Sequence, residues 1–149
     1  MRQLDYLCLV SNLPRGTTIK LPCYLFTPAG KPSRWQDNLV ILDTGADNSA
    51  FSEQYLRRVG YTDFAPSGKK KQTGNGIVEI KVSLVQGLVL ASKFKVGSVK
   101  VDVLSSWDSN KVVGVIGMDI LTSLTFVLSH EHKKFMLATG IVPALNQLF

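Results

Sequence analysis

Asp43, Thr44 and Gly45 are the residues of this chain whose types and order best suit acid–base chemistry. They follow four apolar residues, Leu39–Leu42, which predict a strand buried on both faces. Gly45 tolerates the backbone angles of a tight turn, so we expect the carboxyl group at the end of a rigid strand. The pKa of a carboxyl group can be tuned there for proton transfer, and burying one without a role is costly.

Two further segments carry recognisable patterns. Val112-Val113-Gly114-Val115-Ile116-Gly117 predicts a second apolar strand, and Met118–Thr122 predicts a short helix after it. Between this segment and the Asp-Thr-Gly triplet lies Gly74-Asn75-Gly76, which favours a hairpin because Asn and Gly accept positive φ angles. The elements that must position Asp43 are therefore two apolar strands, a hairpin and a short helix.

In type, order and spacing, these segments resemble the retropepsin-like family of single-domain aspartic proteases. That family has an apolar-apolar-Asp-Thr/Ser-Gly motif, a flap hairpin and a later apolar-apolar-Gly segment that leads into a short helix. The resemblance covers about residues 39–137 and is closer to bacterial and retroelement-like members than to viral ones. It implies that Asp43 activates a water molecule, that the Thr44 hydroxyl braces the turn, and that Gly45 lies close to the substrate backbone.

The resemblance also implies a cleft that binds a polypeptide substrate, with no cofactor and no metal. Three groups of residues are expected to form this cleft. Its lining is expected from Ala46, Asp47 and Asn48, and the flap tip that closes over it from Gly74, Asn75 and Gly76. Its apolar walls are expected from Val115 and Ile116.

The number of Asp-Thr-Gly triplets predicts the assembly. Bilobed aspartic proteases carry two such turns in one chain, whereas this chain has one. A pair of catalytic aspartates therefore requires two copies of the chain, which indicates a symmetric homodimer. Viral relatives use an Arg-Asn pair after the later glycine to tie the dimer together, but Met118-Asp119 stands here. Apolar residues near the C-terminal end are the candidates for holding the dimer instead: Leu145, Leu148 and Phe149.

Many short strand patterns separated by turns predict an all-β fold, a closed or nearly closed β-barrel with one or two short helices. We expect a single domain over residues 1–149, with an N-terminal β extension at 1–38, a core at about 39–137 and a tail at 138–149. One helix is expected at residues 53–59, between Ser52 as its N-cap and Gly60 as its end. A loop is expected at 61–67, and a hairpin about Gly97-Ser98.

The net charge is +6, but the basic residues are spread out, and the one tight run, Lys69-Lys70-Lys71, favours a solvated loop over a nucleic-acid patch. No apolar run approaches the roughly 20 residues that span a bilayer, and no signal peptide pattern is visible. These features predict a soluble, cytoplasmic protein with no nucleic-acid or membrane partner. We predict that Cys8 and Cys23 are reduced thiols in the core, and a disulfide between them across two strands is the open alternative.

His130 and His132 flank Glu131, but no further ligand cluster is visible, so a solvated turn is favoured over a metal site. Two classes of function remain. The first is a homodimeric aspartic endopeptidase; the second is a catalytically weak or inactive retropepsin-like module for dimerisation or peptide binding. The intact Asp-Thr-Gly triplet favours the first, and the missing arginine keeps the second open.

Overall fold

The structure is a computed structural model that describes residues 18–74, 76–107, 111–129, 131 and 134–139, and the backbone of residues 6–10. Strands dominate these residues, and two short helices interrupt them. The elements in chain order are β1 (Tyr6–Val10), β2 (Lys20–Leu25), β3 (Leu39–Leu42), β4 (Ala50–Ser52), α1 (Glu53–Val59), β5 (Ala65–Thr73), β6 (Gly76–Val85), β7 (Leu88–Leu90), β8 (Phe94–Val96), β9 (Val99–Leu104), β10 (Val112–Ile116), α2 (Met118–Leu121), β11 (Thr125–Ser129) and β12 (Lys134–Ala138).

The strands form two sheets. The larger has the order β5-β6-β9-β4-β10-β3-β2-β7-β8, and the smaller has the order β1-β12-β11. The predicted mostly-β architecture with short helices is therefore confirmed. In the part of the chain that the structure describes, β5 and β8 are the two ends of the larger sheet and no pairing closes it into a barrel.

Strand β10 lies between β3 and β4, and this placement organises the centre of the larger sheet. It runs parallel to β3, with Ile116 opposite Leu42, and antiparallel to β4, with Gly114 opposite Phe51. A Cβ atom at Gly114 would collide with the carbonyl oxygen of Ala50 and lie 2.8 Å from Cδ1 of Phe51. The absence of a side chain at residue 114 therefore lets β4 approach β10, and the loop from 43 to 49 crosses the end of β10.

Strand β3 is less buried than its sequence predicts. Val40 is fully buried, but Leu39, Ile41 and Leu42 are only half-buried. Ile41 and Leu42 line an open groove at the end of the strand. The expectation of a strand buried on both faces is thus correct for Val40 and wrong for the other three residues. Ile41 and Leu42 are partly exposed because none of the described residues covers the groove.

Helix α1 has the boundaries and caps that its sequence predicts. The Ser52 hydroxyl accepts a hydrogen bond from the backbone N–H of Tyr55 at 3.2 Å. Gly60 ends the helix with a φ angle of +122°, a conformation that favours glycine. The buried residues Tyr55, Leu56 and Val59 pack this helix into the core beside β4.

Three local predictions are wrong. The hairpin in this region joins β7 to β8 through a turn at Ala91 and Ser92, which have φ angles of +55° and +57°. Gly97-Ser98 instead connects β8 to β9, which pairs with β6 and β4 rather than with β8. The segment predicted as a loop at 61–67 enters β5 at Ala65, because β6 offers a long edge for pairing. Lys69-Lys70-Lys71, predicted as a solvated loop, is exposed but lies within strand β5.

Cys23 is buried in the core and carries a free thiol, so the predicted reduced core cysteine is confirmed at this position. Complete burial raises the pKa of this thiol far above that of a solvated cysteine. The side chain of Cys8 lies outside the described residues. No helix among the described residues is long and apolar enough to cross a bilayer.

Candidate active site

Asp43 stands at the end of β3, directly beside the end of β10. Its backbone N–H donates to the carbonyl oxygen of Ile116 at 3.0 Å, which continues the parallel pairing of the two strands by one residue. Its side chain is exposed in the single chain, so the expected shielding of the carboxyl group is not present within one copy. The strand pair thus fixes the backbone of Asp43 and leaves its carboxylate open to solvent.

The turn after Asp43 orients its carboxylate. The backbone N–H of Gly45 donates to Oδ1 of Asp43 at 2.9 Å, and the N–H of Ala46 donates to the carbonyl oxygen of Asp43 at 3.2 Å. A Cβ atom at Gly45 would lie 3.2 Å from that same Oδ1. Thr44, at the top of the turn, is exposed. The Asp-Thr-Gly turn therefore holds one carboxylate oxygen and leaves Thr44 exposed.

Helix α2 holds the second half of the loop. The N–H of Met118 donates to the carbonyl oxygen of Ala46 at 2.8 Å, and the N–H of Asp119 donates to that of Asp47 at 3.1 Å. The first N–H groups of a helix have no partner within it, so these two bonds satisfy both the helix end and the loop. The loop is anchored on β10 where it begins and on α2 further along.

Ser49 and Asp119 form the tightest side-chain link of the site, and the sequence analysis did not find it. The Ser49 hydroxyl donates to Oδ1 of Asp119 at 2.7 Å, and the Ser49 N–H donates to Oδ2 at 2.9 Å. The same hydroxyl accepts from the N–H of Gly117 at 2.9 Å, and the N–H of Ile120 donates to Oδ1 of Asp119 at 2.9 Å. The acidic residue in the first turn of the predicted helix was the available signal.

Gly117 joins β10 to α2 under this loop. A Cβ atom there would lie 2.6 Å from the carbonyl oxygen of Ala46 and 2.9 Å from that of Asn48. Real Cβ atoms essentially never come so close to backbone atoms. The glycine that the sequence marks as part of the later motif is therefore required for close packing of the loop on α2.

The predicted flap is the β5–β6 hairpin. Thr73 pairs with Gly76, and Gly74 lies in the turn between them. Gly74 and Gly76 are exposed, Gly76 has a φ angle of +113°, and Asn75 lies outside the described residues. In the sheet, β9 and β4 separate this hairpin from β10, so the tip and the Asp43 turn belong to different parts of the sheet.

The remaining predicted cleft residues have different surroundings. Val115 is half-buried, whereas the side chain of Ile116 is fully buried in the core and reaches the site only through its carbonyl oxygen. Asp47 is exposed. The half-buried Asn48 lines a cavity of about 220 Å³ together with residues from β5, β6 and β9.

An open groove of about 410 Å³ adjoins Asp43 and Thr44. Most of its wall is apolar and comes from β3, α2, the smaller sheet and the residue before β2: Ile41, Leu42, Leu121, Phe126, Leu128, Phe135 and Ile19. Leu128, in this wall, is 50% exposed. Among the described residues no group of three potential metal ligands occurs, and His130 and His132 lie outside them.

The sequence and fold of this chain are similar to those of known proteins. A retropepsin-like aspartic protease from Rickettsia conorii has a similar structure, with a TM-score of 0.58 and 16% identity over 94% of this chain and 95% of that one. EIAV protease complexed with the inhibitor HBY-793 gives a TM-score of 0.43 and 22% identity, over 76% of this chain and 92% of that one. A search of curated proteins found no match. The family model for aspartyl proteases matches residues 36–120, more than half of the chain, which therefore belongs to the aspartyl protease family and has a retropepsin-like fold.

Proposed function

We propose that this protein is a homodimeric aspartic endopeptidase that hydrolyses peptide bonds with a water molecule activated by two Asp43 carboxylates, one from each subunit. The observation that supports this most directly is the geometry of the Asp43 turn. An exposed carboxylate is oriented by the N–H of Gly45, while the loop behind it is anchored on both β10 and α2. Such fixed geometry is what a catalytic acid or base requires.

The chemistry follows from two carboxylates held close together. At a separation of about 3 Å, two carboxyl groups cannot both ionise easily, so the pair shares one proton. The ionised Asp43 takes a proton from water as the oxygen attacks the peptide carbonyl carbon, and the protonated Asp43 donates its proton to the carbonyl oxygen. As the tetrahedral intermediate collapses, the C–N bond breaks and the protonated carboxyl group gives its proton to the leaving amine. One hydroxyl group of the intermediate gives its proton to the other, ionised carboxylate, which forms the new carboxyl product and restores the pair with one shared proton.

The apolar groove beside Asp43 supports a second copy of the chain as its cover. The groove brings Leu42 and the half-exposed Leu128 to a surface next to the one carboxylate that needs a symmetric partner. Burying this surface would stabilise the dimer by the hydrophobic effect. The predicted role of Leu145, Leu148 and Phe149 in dimerisation falls on residues that the structure does not describe.

The individual roles belong to the same proposal. Thr44 braces the two turns against each other, and Gly45 lies close to the substrate backbone. The remaining cleft positions are the loop residues Ala46, Asp47 and Asn48, the flap tip Gly74, Asn75 and Gly76, and the walls at Val115 and Ile116. The proposal also includes a single domain with its core at about 39–137. A cytoplasmic location is part of it as well, and the buried free thiol of Cys23 is consistent with a reducing compartment.

The catalytic role of Asp43 is tested by comparing the wild type with Asp43→Asn on a denatured protein substrate between about pH 4 and pH 7. Asparagine keeps the shape of the side chain but cannot transfer the proton, so cleavage should disappear. Asp63→Asn is the matched control, because it removes an exposed carboxylate from the loop after α1 and should leave cleavage intact. Equal cleavage by the wild type and Asp43→Asn would contradict the enzyme and favour the binding module.

The dimer is tested by mixing subunits. If both aspartates of a dimer are needed, adding Asp43→Asn chains at a fixed wild-type amount should suppress activity, because inactive mixed dimers form. Activity that stays constant while the inactive chains are added, under conditions of proven subunit exchange, would show that each chain acts alone.

A further inference from the structure

The predicted flap hairpin is strongly basic. Strands β5 and β6 carry four lysines and one glutamate: Lys69, Lys70, Lys71, Lys81 and Glu79. All five are exposed, and Glu79 lies opposite Lys70, so it offsets only one of the lysines. An excess of positive charge on a segment that covers a cleft raises the local concentration of anionic ligands.

The strand register places part of this charge on one sheet face. Val82 lies opposite Asp102 on β9, and Asp102 lies opposite Ala50 on β4. Cross-strand neighbours, and residues two apart along a strand, share a face of the sheet. Lys69, which pairs with Ile80, and Lys100, which pairs with Leu84, therefore project from the same face as Val82 and Asp102.

These residues meet at the cavity of about 220 Å³ that begins at Asn48 in the Asp43 loop. Its polar lining is Asn48, Ser67, Lys69, Lys100 and Asp102, and its apolar lining is Pro66 and Val82. The lining therefore contains two lysines and one aspartate, with a net charge of +1. The cavity joins the Asp43 loop to the base of the hairpin, the two segments that the proposed function places against the bound peptide.

We propose that this cavity is a substrate subsite that accepts an acidic side chain, so that the protein prefers peptides with Asp or Glu a few residues from the cleaved bond. This inference rests on the proposed function, because it assigns a specificity to the same cleft. The ammonium groups of Lys69 and Lys100 attract the guest carboxylate, while Pro66 and Val82 contact its methylene groups. Asp102 repels the guest carboxylate, so both lysines are needed for a net attraction.

A peptide fits this surface better than a nucleic acid. Residues 65–85 contain no Phe, Tyr or Trp, and stacking of bases on aromatic rings is a main source of affinity for single strands. The cavity also has apolar walls that a phosphate group would leave unused. Nucleic acid binding is therefore the competing outcome in the test rather than the proposal.

The first experiment digests a diverse peptide library with the wild type and maps the residues that flank each cleaved bond. Asp and Glu should be enriched at one or two positions on one side of that bond. Exposed charge pairs contribute modestly, so we expect kcat/KM for a peptide with Glu at that position to exceed that of its Gln counterpart by about three- to tenfold. Raising the salt concentration to about 1 M should reduce this ratio, because it shortens the Debye length to about 3 Å.

The variant Lys69→Glu/Lys100→Glu should abolish or reverse the preference, measured as the ratio of kcat/KM for the Glu peptide to kcat/KM for its Gln counterpart, so that a general change in activity cancels. Lys69→Gln/Lys100→Gln should abolish it without reversal. Lys31→Glu is the matched control, because Lys31 is an exposed lysine in the turn after β2 and does not line the cavity. An acidic preference that survives in the Lys69→Glu/Lys100→Glu variant would overturn the proposal, as would a wild type that cleaves with no acidic preference.

A binding measurement separates failure of this inference from failure of the proposed function. Fluorescence anisotropy with Asp43→Asn compares labelled Glu and Gln forms of one hydrophobic peptide, and it requires no catalysis. Tighter binding of the Glu form, lost in Asp43→Asn/Lys69→Glu/Lys100→Glu, would support the subsite even if the wild type cleaves nothing. Equal binding of the two peptides would overturn the subsite. It would also be overturned if a single-stranded oligonucleotide competed with both peptides equally and lost this ability when Lys69 and Lys100 were replaced.

Discussion

The hydroxyl of Ser49 donates a hydrogen bond of 2.7 Å to Oδ1 of Asp119, a residue 70 positions further along the chain. The carboxylate also accepts from the N–H groups of Ser49 and Ile120, and the hydroxyl accepts from the N–H of Gly117. The side chain of Ser49 is fully buried. This link attaches the loop that follows Asp43 to helix α2. Asp119 thereby joins the two segments of the candidate active site, the loop and the helix.

We predict that Ser49→Ala and Asp119→Ala are strongly coupled. Each removes a partner from a charge-assisted network and leaves donors unsatisfied, which should lower the free energy of unfolding by about 2–3 kcal/mol. Once one partner is lost, removing the other should cost less, with a coupling energy of about 0.5–3 kcal/mol in a double-mutant cycle by urea denaturation. Additive losses would show that the two side chains act independently.

Asp119→Asn tests positioning separately from stability. An amide cannot accept the three hydrogen bonds that the carboxylate accepts, so the loop should shift while the fold persists. On the proposed function, kcat should fall by about tenfold or more because small displacements of catalytic groups are costly. The control is Asp63→Asn, which alters an exposed carboxylate in the loop after α1 and should leave kcat unchanged. Unchanged kcat in Asp119→Asn would remove its positioning role.

Gly117→Ala should be severely destabilising. The added Cβ would lie 2.6 Å from the carbonyl oxygen of Ala46, and neither that loop nor α2 can move without breaking the hydrogen bonds between them. Overpacking of this kind typically costs about 1–3 kcal/mol. Gly97→Ala is the matched control, since a Cβ there meets nothing within 4 Å. Equal melting temperatures for the two variants would contradict this account of the loop.

Gly45→Ala should affect the carboxylate more than the fold. Its Cβ would stand 3.2 Å from Oδ1 of Asp43, so the side chain must shift by a few tenths of an ångström in an exposed turn. We expect the melting temperature to change little and kcat/KM to fall by about tenfold or more, because the carboxylate leaves its aligned position. A variant with full activity would show that the Gly45 N–H contact does not orient Asp43.

Cys23 should make stability depend on pH in the alkaline range. Burial raises the pKa of its thiol in the folded state, so the unfolded chain loses this proton first as the pH rises above about 8.5. The stability from the protonated thiol is complete below that pH and is lost above it, by roughly 1 kcal/mol near pH 9.5. Urea denaturation of Cys23→Ala should show a flatter profile than the wild type between pH 7 and pH 9.5. Parallel profiles would mean that the folded thiol ionises normally.

The sequence by itself determined several local elements and the family of this protein. Helix α1 follows from a local cap and a local glycine, and strands β3 and β10 follow from continuous apolar runs, because these patterns act over a few residues. The Asp-Thr-Gly triplet, the later glycine motif and the hairpin between them were likewise sufficient to predict the family. Such inferences succeed where neighbouring residues carry all of the information.

Only the tertiary structure decided how these elements meet. The insertion of β10 between β3 and β4 and the hydrogen bond from Ser49 to Asp119 join residues that are far apart in the chain, and periodicity does not specify pairing at that distance. The pairing of β9 with β6 rather than with β8 brings Lys100 into the same cavity as Lys69. The open groove beside Asp43 was likewise not predictable from the sequence. Whether a strand face is buried depends on which distant element, or which second chain, packs against it.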